Sequence, residues 1–431
     1  MLRDRVRSRV RSRVIRILAS RGCLQLERRR AALARRLRRE ARVVHYFHQV
    51  DDPYSHLVVQ KLDELRGAYG VPFSVHLVSK PSPEFQGSPK HFEAWALRDA
   101  QSVAEAYGVT LNAASMPAPS AVRSANGALA PELDGPDFAK RAFEIGEALW
   151  SGRGPTEASG LSGDEALREG DGLRRRLGHY LGGTFYFEGE WFWGIDRIRL
   201  LERRLHDEGL GGSSGEPRVP EPVPASATGL CAEHVVLEYF PSLRSPYTAV
   251  GHARVMDLIA RSGVTAKLRP VMPMMMRGVA APFAKQRYIV MDAAREARAR
   301  GVPFGRIVDP FGEPVKRAFA LFPGALALGR ASEFITEYLS AAWAEGVDIT
   351  TDAGLRQVAE SAGLAWDALV ERSREADAEA LLDENLDAML SAGLWGVPSF
   401  RVSGGNVSGS FACWGQDRIW RVEDEIARRG G

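Results

Sequence analysis

Two long stretches of this chain repeat each other at a fixed spacing. Tyr46-Phe47 and Pro53-Tyr54-Ser55 recur as Tyr239-Phe240 and Pro246-Tyr247-Thr248, and Trp150 recurs as Trp343, each 193 residues further on. The far end of each copy recurs as well, Trp193-Gly194-Ile195-Asp196-Arg197-Ile198 as Trp414-Gly415-Gln416-Asp417-Arg418-Ile419. A shared offset over that much chain predicts one fold used twice. Trp150 and Asp196 are 46 residues apart, whereas Trp343 and Asp417 are 74 apart, so the second copy carries the longer insertion.

Between the copies, residues 211–229 (GGSSGEPRVPEPVPASATG) hold Gly, Ser and Pro with few apolar side chains, which predicts a linker. The expected organisation is an Arg-rich arm at 1–42, a first domain at 43–210, the linker at 211–231 and a second domain at 232–431. The 431 residues are 45% hydrophobic, enough for two cores. Net charge is only +3, so the chain as a whole does not read as a nucleic-acid binder. The charge is uneven: residues 1–42 carry sixteen arginines against Asp4, Glu27 and Glu40. Those arginines spread round a helix rather than along one face. They predict a solvated or frayed arm, or alternatively a contact with an anionic surface, either membrane or nucleic acid.

Cys23, Cys231 and Cys413 are far apart, with no Cys-x-x-Cys pair. A thiol redox motif and a zinc knuckle are therefore not available, and a reducing cytoplasmic compartment is the expectation. No apolar run reaches membrane-spanning length. Arg13, Arg16 and Arg21 interrupt or bound the apolar run at 14–19, so a secretory signal is not expected.

Local patterns in the second copy are clear. Residues 235–240 form an apolar β-type run. Ser245 precedes Pro246, a cap followed by a Pro at the first helical position, and Gly263 stops that helix. A strand follows at 265–271. The pattern is then helical to 390, with breaks at 301–314 and at Pro323-Gly324. Residues 395–402 turn into a strand, 404–409 read as a hairpin turn, and a last helix runs from about 416 to 429. This order predicts an α/β fold, two tandem thioredoxin-like domains, each with an inserted helical subdomain, at about 278–390 in the second copy.

Ser245-Pro246-Tyr247-Thr248, Gly396-Val397-Pro398-Ser399-Phe400 and Trp414-Gly415-Gln416-Asp417-Arg418 resemble the DsbA-like thioredoxin superfamily. Within it they resemble the branch containing 2-hydroxychromene-2-carboxylate isomerase and kappa-class glutathione transferase. Arg269-Pro270-Val271, the series Lys285, Tyr288, Asp292 and Arg295, and Trp343 with Asp348-Ile349 support the match. The resemblance implies glutathione as cofactor and a small conjugated organic substrate. It places Ser245 where redox relatives carry the first Cys of their pair. A hydroxyl cannot cycle through a disulfide, which argues against a DsbA-type thiol-disulfide oxidoreductase. It can donate to an external thiolate at a helix start worth about half a positive charge. The resemblance also implies a cis Pro398, a Val397 backbone free to pair with the glutathione peptide, and Gln416 and Asp417 at the γ-glutamyl end. Tyr247, Met274, Arg277, Lys285 and Tyr288 are candidate substrate-pocket residues, and no metal ligands are expected.

Each of these residues also has a plain structural reading. Ser245 is equally a helix cap, Asp417 a first-turn acid, and the Met272 to Met276 run core packing. Lys285, Tyr288, Asp292 and Arg295 share one helix face that salt bridges alone would explain. In the first copy Asp52 stands at the Ser245 position, Gly183 at the Pro398 position and Ile195 at the Gln416 position, while Asp196 is retained. An ionised Asp52 repels a thiolate, so this copy reads as degenerate, with a scaffold or dimer-like role. The two domains are expected to pair within the chain, or the chain to form a homodimer. His45, His48, Asp51, Asp52 and His56 read as polar residues at a strand end, or alternatively as an acid–base or metal cluster. The expected function is a glutathione-dependent isomerase or transferase. The alternative is a non-catalytic tandem binding scaffold.

Overall fold

The computed structural model describes residues 2–153, 160–211 and 215–431; residues 212–214, within the stretch read as a linker, and 154–159, within the first domain, lie outside them. The chain forms two compact units. One gathers Met1–Cys23, Val223–Ala280 and Ile289–Gly431, the other Leu24–Pro222 and Ala281–Tyr288. The arm expected at 1–42 is thus divided between them.

In the unit centred on Leu24–Pro222, four strands, β1 (Val44–His48), β2 (Phe73–Leu77), β3 (Thr184–Phe187) and β4 (Glu190–Trp193), form a sheet of order β2-β1-β3-β4. β1 runs parallel to β2 and antiparallel to β3, and β3 runs antiparallel to β4. Tyr46, Phe47, Phe185, Phe187 and Phe192 are fully buried and anchor its core. The helix Pro53–Val59 starts where expected, with Asp52 accepting from the backbone N–H of Tyr54 and Ser55.

The other unit repeats this plan. β5 (Val235–Phe240), β6 (Thr265–Leu268), β7 (Ser399–Gly404) and β8 (Ser410–Trp414) form a sheet of order β6-β5-β7-β8 with the same parallel and antiparallel pairings. β6 stops short of the expected residue 271. Pro270 has no N–H to give the ladder, and Arg269 and Val271 continue the pairing on either side of it, donating to the carbonyls of Tyr239 and Pro241. The sheet core of Leu237, Tyr239, Phe400 and Val402 packs against the helices Pro246–Ser262 and Ile419–Gly430. Residues 283–391 hold six α-helices, and most of them build a second core around Phe319, Phe322, Phe334, Tyr338 and Trp343.

One expected break does not occur. Pro323 and Gly324 sit inside the helix Glu313–Ala327. A Cβ on Gly324 would lie 2.6 Å from the Leu369 carbonyl, so this glycine permits helix-to-helix contact rather than ending a helix.

The start of the chain also differs from the solvated arm expected. It forms two helices, Leu2–Ala19 and Arg21–Leu37. Ser8, Ser12 and Ala19 are buried in the C-terminal unit. In the other unit Arg28 pairs with Glu190 and Arg35 with Glu188, each at 2.7 Å, and Arg42 pairs with Glu188 at 2.9 Å. These arginines neutralise internal acids. The linker stretch likewise buries two side chains, Val219 and Ala227. No helix among the described residues is long and apolar enough to cross a membrane.

Candidate active site

Ser245 stands at the N-cap of the helix Pro246–Ser262, its backbone extended and its Oγ accepting from the Thr248 N–H at 3.1 Å. The same hydroxyl donates to the Val397 carbonyl at 3.4 Å, a long and weak bond. The Val397–Pro398 peptide bond is cis. Among the described residues no backbone carbonyl pairs with the Val397 N–H. The structure therefore brings Ser245, Val397 and Pro398 together at the positive end of a 17-residue helix.

The segments that carry these residues are tightly held. Trp343 Nε1 donates to the Leu243 carbonyl at 3.2 Å, and Arg244 pairs with Asp309 at 2.8 Å. Arg277 ties the methionine turn to the segment before Val397, donating to the carbonyls of Met272 at 3.0 Å and Trp395 at 2.9 Å. Burial lowers its pKa to about 10, which leaves it a cation at neutral pH. The Trp414 ring lies so close to Gly396 that a Cβ there would overlap it. Gly396 was carried by the resemblance; its physical requirement, and the roles of Arg244 and Asp309, had no signal in the sequence.

Gln416 and Asp417 lie on a short turn, Gln416–Arg418, before the last helix. Gln416 is buried against Gly251 of the Ser245 helix. Its backbone carbonyl accepts from Arg254 Nη2 at 3.1 Å, and its Oε1 accepts from the same group. An arginine only donates, so the amide oxygen must face it. That leaves the Gln416 Nε2 buried with no acceptor among the described residues. The Asp417 carboxylate folds back over Gly415, leaving no room for a Cβ there.

The substrate-pocket candidates separate. Tyr247 donates to Asp292 at 2.8 Å, and Arg295 donates to the same carboxylate at 2.6 Å. Met272 and Met276 pack against the helical core, Met275 Sδ accepts from Arg244 at 3.7 Å, and Met274 is half-buried on the turn that Arg277 closes. Lys285 and Tyr288 belong to the other unit. There Lys285 donates to the Phe85 carbonyl at 2.9 Å, and burial lowers its pKa to about 8. Tyr288 lies edge-on to His179, ring centroids 4.7 Å apart. Tyr247, Asp292 and Arg295 belong to the C-terminal unit, so the residues of the expected helix face fall in both units. A wide groove bounded by Met256, Leu268, Arg330 and Leu381 includes neither Ser245 nor Val397.

In the first copy the corresponding place is differently wired. Asp52 accepts from the Ser55 N–H at 2.9 Å and the Ser55 hydroxyl at 2.8 Å. Burial raises its pKa to about 6 against those bonds, so it is ionised at neutral pH. Gly183 has φ 57°, and a Cβ there would lie 2.9 Å from the Asp52 carboxylate. The histidines nearby disperse into separate pairs. His45 faces His76 at 2.9 Å, His48 meets the Tyr46 hydroxyl at 2.9 Å, and His56 meets Glu147 at 3.1 Å. Among the described residues no group of three His, Cys, Asp or Glu could hold a metal ion.

Residues 236–427 match the DSBA-like thioredoxin domain family, and the C-terminal half of the chain is a domain of that fold. Solved structures similar to this chain include 2-hydroxychromene-2-carboxylate isomerase, at 20% identity over 45% of this chain and 95% of that one, TM-score 0.37. They also include the cytosolic disulfide reductase DsbM from Pseudomonas aeruginosa, at 19% identity over 46% and 100%, TM-score 0.37. That reductase with GSH matches at 18% identity over 45% and 99%, TM-score 0.35. No curated protein matches the sequence.

Proposed function

We propose that the C-terminal domain binds glutathione at the Ser245 helix start and acts as a glutathione-dependent isomerase or transferase of the 2-hydroxychromene-2-carboxylate isomerase type. The observation that carries this reading is the Ser245 hydroxyl, at the start of a long helix, resting on the Val397 carbonyl by a bond weak enough to exchange for a better acceptor. The donor set fits the tripeptide. Ser245 offers a hydroxyl, and among the described residues the Val397 N–H pairs with no backbone carbonyl and the buried Gln416 amide N–H has no acceptor. Bound glutathione supplies a thiolate that adds reversibly to a conjugated double bond and so permits rotation about it.

The chain's own part is to hold and ionise that thiol. Ser245 turns its proton from Val397 to the sulfur while its oxygen keeps capping Thr248. The helix start favours the negative charge, and the Val397 backbone aligns the peptide as an added strand. With no Cys at the Ser245 position, disulfide exchange has no internal partner there. The first domain, with Asp52 in place of the hydroxyl, serves as a degenerate scaffold copy and binds no thiolate.

Calorimetric titration with reduced glutathione, beside a Ser245→Ala variant, tests the reading. Binding that weakens in the variant, or whose thiol ionises less readily there, upholds it. No binding at millimolar glutathione sinks it and favours a tandem scaffold.

A further inference from the structure

The Arg-rich helix Leu2–Ala19 reaches the neighbourhood of Ser245 through one fully buried carboxylate, Asp309. Ser8, Arg11 and Ser12, three and four residues apart and so on one helix face, all meet it. Ser8 Oγ donates to the Asp309 carbonyl at 3.0 Å, and Ser12 Oγ accepts from the Asp309 N–H at 2.9 Å. Arg11 Nε pairs with one carboxylate oxygen at 3.0 Å, and Arg244 Nε pairs with the other at 2.8 Å. Arg244 directly precedes Ser245. Both guanidinium groups lie over the Phe311 ring, 5.1 and 4.6 Å from its centroid. Further along, Arg16 donates to the Ile307 carbonyl at 2.6 Å and Arg298 to the Ala19 carbonyl at 3.0 Å, so the helix is anchored along its length.

The charge count has a consequence. Arg244 and Asp309 alone cancel. With Arg11 added, the cluster keeps one net positive charge beside the start of the Ser245 helix. Composition alone leaves this arginine to solvent or to an anionic surface; the fold sets it, with its side chain 35% exposed, against a buried acid.

We propose that the N-terminal helix is a working part of the Ser245 site. Ser8 and Ser12 fix Asp309, Asp309 positions Arg244, and Arg11 supplies the net charge that favours an anion at Ser245. The inference rests on reading Ser245 as the place where a thiolate sits, but its test does not need glutathione. Ser8, Ser12 and Asp309 are positioning residues, acting through Arg244, and Arg11 acts by its charge.

Ser245→Cys places a thiol at the position itself, and its pKa is read from the thiolate ultraviolet absorbance, as a difference from the parent chain with its three native cysteines. Adding Arg11→Ala is expected to raise that pKa by about half a unit, the scale of one partly solvated charge at short range. Arg11→Lys is expected to restore it. Arg11→Met keeps a long apolar stem but no charge, and is expected to match Arg11→Ala, which guards against a trivial packing loss. An unchanged thiol pKa in both uncharged variants, with native circular dichroism, overturns the proposal. A shifted thiol in a chain whose parent binds no glutathione upholds the role of the helix and sinks the glutathione reading, so the two failures are distinguishable.

Discussion

The Tyr247 hydroxyl donates to Asp292 at 2.8 Å, and 193 residues earlier the Tyr54 hydroxyl donates to Asp99 at 2.6 Å. The offset that relates the two copies in sequence relates this contact as well. A pair present in both copies, one with the serine and one without, belongs to the scaffold. Tyr247→Phe is therefore expected to lower stability by about 1–2 kcal/mol, because the charged Asp292 loses a donor, while leaving glutathione affinity within a factor of about two. Chemical denaturation beside the glutathione titration checks this; a lost affinity at unchanged stability would return Tyr247 to the pocket.

Ser245 has two jobs that one substitution separates. Ser245→Ala removes the cap on Thr248 and is expected to cost about 1 kcal/mol in unfolding. Ser245→Asp, the residue of the first copy, caps as well as Ser but brings a negative charge. It is expected to hold stability near the parent and to abolish glutathione binding. Retained binding in Ser245→Asp would contradict a thiolate at this position.

Gly396→Ala is expected to be among the most damaging small substitutions in the C-terminal domain. Its Cβ would enter the Trp414 ring, and such overpacking costs about 1–3 kcal/mol. The measured unfolding free energy should fall by that amount, with Trp fluorescence altered in the folded state. A neutral outcome would mean the Trp395–Trp414 pair, with centroids 4.6 Å apart, shifts freely.

Acid should weaken the C-terminal unit through His252. Burial holds it neutral, with a pKa lowered to about 4 from 6.5, between the Tyr239 hydroxyl at 3.2 Å and Thr336 at 2.9 Å. The unfolded chain takes the proton first. Its contribution is complete above about pH 6.5 and is lost as pH falls toward 4, on the order of 3 kcal/mol in full. His252→Gln should flatten the stability profile across that window; an unchanged slope would remove His252 as the cause.

Asp52 has the opposite sign. Its folded pKa, raised to about 6, makes the first copy lose stability as pH rises from about 4 through 6. Asp52→Asn keeps a capping oxygen without the charge, so its stability relative to the parent should improve between pH 5 and pH 8. A difference that stays flat would show that the carboxylate is not strained by burial.

The strand and helix order of the second copy, the Ser-Pro helix start and the Val-Pro turn were all legible in the sequence. They rest on local rules, since a cap, a proline at the first turn and an apolar run of strand length act over a few residues. What was missed is long-range. Nothing near Arg11 says that its partner is Asp309, almost three hundred residues away, and nothing near Lys285 and Tyr288 says that their helix face serves two different units.

The sequence by itself determined that a hydroxyl, and not a thiol, stands at the head of the second copy's first helix, and that the first copy has an acid there. Local chemistry decides both. Only the tertiary structure decided what surrounds that hydroxyl: the Val397 carbonyl, the Trp414 ring against Gly396, and the charge cluster of Arg11, Asp309 and Arg244. Those contacts join segments that are adjacent only after the sheet and the helical insertion have closed.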